Sequence, residues 1–583
     1  MSEVLVVPGE MQPWTDHTTR QPVLAALLTD VVPANRRTLI LGPHSPLLIE
    51  SVLAHSADVT ILVRSVSDAE QLTATFGPCL HVVAGALDGL RSVAAVQPTL
   101  FEMATEGVAP FEVVVAADGL DRVLGYDSEH LSWTERLAAL ETLTAPDAVV
   151  VLGLRNEFAL VNLLDRRPAH LRHGDDEWVP LHDDPTRPVS VDQFQAALPW
   201  PAQLYADFSS QTLVGVEAAA SARPGHLPTR LAQQALESVD TPLLTSPTEP
   251  LEFAARAGLL AAVSTSWLAV CNTHSPYAMY TDVGPALLRA TPTATGWRTT
   301  SRHGAGSEAV GIAGPAELLF DSTVIPAEIP GGVTVESVLF RLAAAEDVPG
   351  FRKLAASLGD WARGSRVLLR WDDIIVDGDT FAFGVSGWVA PERVAKDDLL
   401  AAAWLRFHKR LVDGHRRHPW PPWMIGDDLV STWMSMSGLE PVDPTPATAP
   451  HVESAIAEQL AWGKQLAAAL AAVLDPPEHA RPDLRSTLAD ADRARLELIE
   501  LQGHVFGLER TLGFRNKAMK TRENRIRELR TQVQKATVER NKIHGSRSYA
   551  LARTVARAAQ LRNPRKLTAK LKRTLRKHLT SPR

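Results

Sequence analysis

Residues 38–65 read TLILGPHSPLLIESVLAHSADVTILVRS, and the fold follows from how this stretch divides. A short β-rich apolar run, Thr38–Gly42, comes first. Gly-Pro-His-Ser-Pro interrupts it and opens a helical stretch at Leu47–His55. A second apolar run, Asp58–Val63, follows. Strand, turn, helix and strand within about thirty residues make a βαβ unit. The pattern then repeats. Leu80–Ala84, Glu112–Ala116 and Ala148–Leu152 are further short apolar runs, with helical stretches such as Glu129–Leu143 between them. Such alternation predicts a parallel sheet covered by helices on both faces. Ala202–Phe208 and Thr212–Glu217 come last, joined by Ser-Ser-Gln. Their closeness predicts a hairpin that sets an antiparallel strand in an otherwise parallel sheet.

The expected fold class is therefore α/β, with a Rossmann-like sheet over residues 1–220. Pro/Ser/Thr-rich sequence at 221–250 (SARPGHLPTR, then DTPLLTSPTEP) reads as a linker. A second, α+β region is expected over 251–440. PVDPTPATAP at 441–450 reads as a stiff linker, placed at 441–451. Helical sequence follows over 452–545, and a basic tail over 546–583.

Composition narrows the chemistry. The 583 residues are 45% apolar and 22% charged, ordinary for globular domains. Two cysteines, Cys79 and Cys271, give no disulfide framework and no structural-zinc spacing. No apolar run reaches the ~18 residues that span a bilayer. MSEVLVVPGE has no basic region before its apolar stretch, so a cytoplasmic protein without a signal peptide is expected. Only 12 residues are Lys, and the first is Lys353. The first 352 residues therefore hold neither a Walker A lysine nor a Schiff-base lysine. HExxH and GxSxG are absent from the sequence. His408, His415 and His418 lie among arginines and read as a solvated basic helix end. His170, His173, Asp175, Asp176 and Glu177 read as a surface loop. Trp outnumbers Tyr, 14 to 5; sugar sites use Trp faces, and core packing uses them more often.

In a doubly wound sheet, ligands bind beyond the carboxyl ends of the strands. The first such turn offers Gly42 for close backbone approach, with His44 and Ser45 at the start of the next helix. The second strand ends at Val63-Arg64, where an acid ordinarily holds ribose hydroxyls. Arg64 would suit a 2′-phosphate, but no GxGxxG accompanies it. Gly85 ends the third strand, and Asp118 ends the fourth.

FEVVVAADGLDRVLGYD (111–127) and APDAVVVLGLRNEFALVNLLD (145–165) resemble the fourth- and fifth-strand segments of class I S-adenosylmethionine-dependent methyltransferases, specifically the divergent type of bacterial surface-polysaccharide synthesis. Asn156 and Glu157 fall on the family's Asn-Glu positions. The resemblance covers about residues 35–220. It implies an S-adenosylmethionine site at Gly42, His44, Ser45, Gly85 and Asp118, with methyl transfer to a saccharide. It assigns no catalytic base; Asp118 and His44 are candidates by position. The departures are specific. The family's Asp-x-Gly-x-Gly-x-Gly turn is here Ile40, Gly42, His44 and Pro46, and the acid after the third strand is Ala86.

PGGVTVESVL (330–339) and VLLRWDDIIVDGDTFAFGVSGW (367–388) look like the hinge and catalytic-loop hairpin of aminoglycoside-phosphotransferase-like kinases. The Asn position is Asp373, and the metal-binding Asp falls near Ser386. No lysine precedes Lys353, so phosphoryl transfer is not expected.

Leu498, Leu501, Val505, Leu508, Leu512, Met519, Ile526, Leu529, Val533 and Ile543 keep an unbroken alternation of three and four. Arg515, Arg522, Ala536 and Arg540 hold the intervening places. A heptad sustained this long predicts a coiled coil and self-association. From Arg547 to Arg583 there are 12 Lys or Arg and no Asp or Glu. Removing them from the net −8 leaves −20 for the rest. Leu567, Leu571, Leu575 and Leu579 stand four apart among these cations, the pattern of an amphipathic helix on an anionic membrane surface. Membrane is preferred here to nucleic acid. The order methyltransferase-like domain, kinase-like domain, coiled coil and basic tail resembles proteins that terminate bacterial O-polysaccharide chains. It implies a peripheral place at the inner face of the cell membrane, a glycopolymer substrate and a glycosyltransferase partner. The alternative is a non-catalytic scaffold that recruits glycosyltransferases through its coiled coil.

Overall fold

The computed structural model describes residues 4–561, except 97–109, 168–183, 222–225, 304–317, 439–483 and scattered single or paired positions, together with residues 572 and 573. The chain forms two units, 1–480 and 481–583.

The first unit is built on one mixed sheet. Its strands are β1 (Leu5–Val6), β2 (Thr38–Leu41), β3 (Val59–Val63), β4 (His81–Ala84), β5 (Phe111–Ala116), β6 (Thr144–Arg155), β7 (Ala202–Phe208), β8 (Thr212–Gly215), β9 (Ser266–Cys271), β10 (Met279–Asp282), β11 (Ala286–Pro292) and β12 (Gly296–His303). The two-residue β13 (Leu319–Phe320) lies outside it, and β14 (Glu328–Pro330) ends it. The order is β1-β4-β3-β2-β5-β6-β9-β7-β8-β10-β11-β12-β14. From β1 to β6 every pair is parallel. β9 runs antiparallel to both β6 and β7, and every pair beyond it is antiparallel.

The parallel part is the Rossmann-like arrangement that the alternating pattern predicts. β2 and β3 are buried along their whole length because helices cover both faces. Leu39 and Leu41 pack into one layer with Val114 and Trp133. Ile40 packs into the other with Val113, Val115 and the helices Pro22–Val31 and Pro46–Leu53. Local sequence sets the helix starts. Ser65 caps Val66–Phe76 through the Asp68 amide at 3.0 Å, and Ser132 with Glu135 forms a capping box on Trp133–Thr142.

Two expectations need correction. β7 and β8 do form the expected hairpin, but the reversed strand beside β6 is β9, from about fifty residues further on. Thr212–Gly215 lies on the outer side of β7 instead. The break expected at 221–250 is likewise not one. It carries the helix Leu227–Glu237, whose Leu227, Leu231, Ala232, Ala235 and Leu236 are buried. The sheet continues through residues 266–330. Gln and Arg between those apolar positions masked the helix, and the Pro/Ser/Thr-rich stretches overlap its start and that of the next helix, Thr248–Arg256.

The rest of this unit contains a small antiparallel sheet of β15 (Val333–Thr334), β16 (Ile374–Asp377) and β17 (Thr380–Phe383), with a short β18 (Trp388–Val389) paired to β13. The turn at Gly378 takes φ +61°, so Asp377-Gly378-Asp379 makes the expected hairpin. Helices Val335–Ala344, Val348–Ala362, Lys396–Asp413 and Asp427–Met436 pack around Phe351, Trp404, Phe407, Trp420 and Trp433. Among its described residues the second unit contains the helix Leu484–Gly545, followed by the helix Arg547–Leu561. The Pro-rich 441–451 segment, residues 452–483, the cluster His170–Glu177 and Leu567, Leu571, Leu575 and Leu579 lie outside the described residues. So does His415, while His408 and His418 lie against Trp433 and Trp420.

Candidate functional site

The carboxyl ends of β2, β3, β4 and β5 bring Gly42, His44, Ser45, Arg64, Gly85 and Asp118 to one edge of the sheet. Gly42 ends β2 with φ +83°, a backbone state that disfavours other residues. A Cβ placed there would meet only Asp118, 3.8 Å away. The turn therefore faces space bordered by the Asp118 carboxylate. That carboxylate is paired with Arg122, whose Nε donates to Oδ2 at 2.8 Å.

His44 turns back on this loop. Its Nδ1 lies 3.0 Å from the Gly42 carbonyl oxygen, so Nδ1 carries the proton. Burial pushes the imidazole below its ordinary pKa, against the pull of Asp118. The ring is thus neutral, and its Nε2 is a buried acceptor without a hydrogen-bond partner. Ser45, next in sequence, has a buried hydroxyl in the same condition. It stands at the N-cap of Pro46–Leu53, yet makes no side-chain cap bond. Two adjacent orphaned polar groups at a helix start call for a small hydrogen-bonding species such as water.

The end of β3 is different. Arg64 is buried at 1% exposure. It donates to both carboxylate oxygens of Asp16, at 2.9 and 2.7 Å, and to the Leu124 carbonyl at 3.3 Å. Its guanidinium lies over the Trp14 ring, 5.5 Å from the centroid. Asp16 and Trp14 belong to the first segment of the chain, which is bound along the strand ends. The Val7 amide donates to the Ala84 carbonyl and the Ala86 amide to the Pro8 carbonyl. Met11 and Val66 continue the run, the Met11 amide donating to Arg64 and the Val66 amide to Met11. Ser65 Oγ donates to the Trp14 carbonyl at 2.6 Å. A Cβ on Gly85 would overlap the Val7 backbone. Gly85 is thus a close-packing glycine against the chain itself, not a ligand contact.

S-Adenosylmethionine needs acceptors for its ribose hydroxyls and room for its adenine. At the ribose position this protein presents the donors of Arg64, and the nearest acid, Asp16, is spent on them. Ala86 is buried beneath Gly9. The residues present fit a backbone approach at Gly42 and do not fit the adenosine half of the donor. Of the five expected site residues, Gly42, His44, Ser45 and Asp118 converge, and Gly85 serves packing. Asn156 is also structural: its Nδ2 donates to the carbonyls of Ala262 and Ser264 at 2.8 and 2.7 Å. Glu157 is exposed beside Arg187, 3.3 Å away. Sequence reading missed Trp14 and Asp16. The signal was the apolar run before Pro8-Gly9, which is a strand and a turn.

A second cluster lies behind the acidic hairpin. Asp373 accepts the Val385 and Ser386 amides at 3.0 and 2.8 Å and is paired with Arg230. Asp373 and Ser386 are thus joined by a hydrogen bond from the Ser386 amide. Asp372 is held by Arg370 at 2.6 Å and Arg406 at 3.4 Å. Burial works against its charge, yet Arg370, then Arg406 and Arg410, hold its carboxyl well below the usual range. Arg410 also clamps Glu336, at 2.7 and 2.8 Å, and Glu237. Among the described residues no group of three or more His, Cys, Asp or Glu is placed to hold a metal ion.

No protein-family model matches the chain, and no curated protein matches it. Among solved structures, the CcbJ methyltransferase from Streptomyces caelestis is similar over 44% of this chain and 88% of its own, at 14% identity and a TM-score of 0.19. Coclaurine N-methyltransferase, bound to N-methylheliamine and SAH, is similar over 45% and 75%, at 10% identity and a TM-score of 0.22. The bifunctional kinase-methyltransferase WbdD is similar over 81% and 90%, at 11% identity and a TM-score of 0.21. At these scores the likeness decides no chemistry; the strand order and the site geometry stand by themselves.

Proposed function

We propose that this protein is a methyltransferase-like scaffold of cell-surface glycopolymer assembly, in which the sheet is kept for binding and the methyl-donor site is given up. One observation carries the reading: buried Arg64, neutralised by Asp16, stands where donor recognition needs an open acid. The second cluster supports it, since the acids of the hairpin are likewise consumed by arginines. The long helix and the basic end supply attachment. In Arg547–Leu561, Leu551 and Val555 are exposed at 66% and 63%, with Arg547, Arg553 and Arg557 on the same helix. Such a helix suits an anionic bilayer surface. No helix among the described residues is long and apolar enough to cross a membrane.

Calorimetry of the full chain with S-adenosylmethionine and S-adenosylhomocysteine tests the central point. No binding at millimolar ligand is expected. Micromolar binding that disappears in Gly42→Trp would overturn the scaffold reading and support the second, methyl transfer to a saccharide. That reading is favoured by Gly42, which keeps its left-handed backbone and open side toward Asp118. Flotation with anionic vesicles at low salt tests the tail. The full chain should float and a chain ending at residue 545 should not.

A further inference from the structure

The helix Leu484–Gly545 spans 62 residues, about 93 Å at ~1.5 Å per residue. Its seam is exposed from end to end. Leu498, Leu501, Val505, Leu508, Leu512, Met519, Ile526, Leu529, Val533 and Ile543 stand at 44–64% exposure. Off the seam, the exposed large apolar residues of this helix among the described residues are Phe506, Phe514 and Val538. Ten such side chains offer on the order of 1,000 Å² per helix, the size of one side of a standard protein interface. A strict seven-residue repeat also drifts around a straight helix, so only a supercoiled partner keeps the whole seam covered.

We propose that the occupant is a second copy of this chain, aligned parallel and in register as a two-stranded coiled coil. The proposal stands apart from the reading of the crevice. With Leu498 at a, the a positions are Leu498, Val505, Leu512, Met519, Ile526, Val533 and Arg540. The d positions are Leu501, Leu508, Arg515, Arg522, Leu529, Ala536 and Ile543. β-Branched residues collect at a, and leucine collects at d. Packing geometry at the two layers of a parallel dimer selects that division. The flanking charges agree with the register. Glu539 at g would face His544 of the second copy at e. Arg525 would face Arg530, but Arg525 is already paired with Glu528 of its own helix at 2.6 Å. Arg515 and Arg522 occupy consecutive d layers. In this register their stems would cover the seam and their guanidiniums would reach toward Asn516 and Glu523 at e. Charged core layers of this kind fix register at a cost in stability.

The full chain tests this in sedimentation equilibrium at tens of micromolar. A dimer mass is expected, and Val505→Asp with Ile526→Asp should weaken association about 100-fold or more. Orientation is read in a Cys79→Ser background, because Cys79 is exposed and Cys271 is buried. Leu501→Cys should cross-link to itself on oxidation, as should Leu529→Cys. A monomeric wild type, a dimer that survives the double aspartate variant, or cross-linking only between Leu501→Cys and Ile543→Cys chains overturns the proposal. These positions are exposed, so the first unit should fold in every variant; its circular dichroism and thermal transition check that.

Discussion

The strand-end crevice and the cluster behind the acidic hairpin neutralise their acids in different ways. At the crevice, the arginine directly follows a strand and the acid is borrowed from residue 16, so closure depends on the chain's first segment. Behind the hairpin, acids and arginines come from at least four elements, and the cluster joins Leu227–Glu237 to Val335–Ala344 and Lys396–Asp413. The first arrangement leaves Gly42 facing space; the second leaves Arg230 and Arg406 each with a buried, unpartnered Nε. Buried charges are tolerated when paired, and the cost falls on whichever partner is left behind. The crevice is therefore a site closed by addition, and the cluster is part of the core.

The largest effect should come from the cluster. Arg410→Met leaves Glu336 buried, and Glu237 half-buried, without their shared cation and should cost about 3–5 kcal/mol in urea unfolding. A loss below about 1 kcal/mol would mean that the cluster is not core and would erase the contrast. Asp16→Ala should cost about 3 kcal/mol, since Arg64 and Asp16 side chains are at 0% and 1% exposure. Adding Arg64→Met should restore much of that stability, because removing both charges avoids an unpaired one. If the double variant is as unstable as the single, the first segment is held by something other than this pair.

Asp207 sharpens the comparison, because it is a sequestered acid held by a hydroxyl and a backbone amide. It accepts from the Ser210 amide at 3.0 Å and from Ser266 Oγ at 2.8 Å. Burial pushes its carboxyl up to about 6 from 3.8. A raised acid stabilises the fold below pH ~4 and loses that contribution as pH rises through about 6. Asp207→Asn should therefore gain up to about 2 kcal/mol at pH 7 and flatten the stability profile between pH 4 and 6. Asp372, held low by its arginines, should behave in the opposite sense and lose stability only as pH falls below the ordinary aspartate range. The smallest effect belongs to Gly42→Ala. Space is available there, so only the left-handed backbone opposes the methyl group, at about 1 kcal/mol in a thermal melt.

The parallel strands were legible because each carries its own apolar run and each helix between them its own period. Thr38–Leu41, Val59–Val63, His81–Ala84 and Phe111–Ala116 fall where the sequence puts them. The hairpin at Gly378 and the heptad helix were legible for the same reason, since turn chemistry and periodicity are local. The reversed strand was not. Nothing near Ser266 says that it enters between β6 and β7, because strand partners are chosen by long-range burial and not by local propensity. The crevice divides the same way. Sequence determined that Gly42, His44, Ser45, Arg64 and Asp118 would gather at the strand ends, since βαβ connectivity fixes that edge. Only the tertiary structure decided that the first segment, through Val7, Met11 and Trp14, lies across it and that Asp16 answers Arg64. Pairing a buried cation is a demand that any segment of the chain can meet.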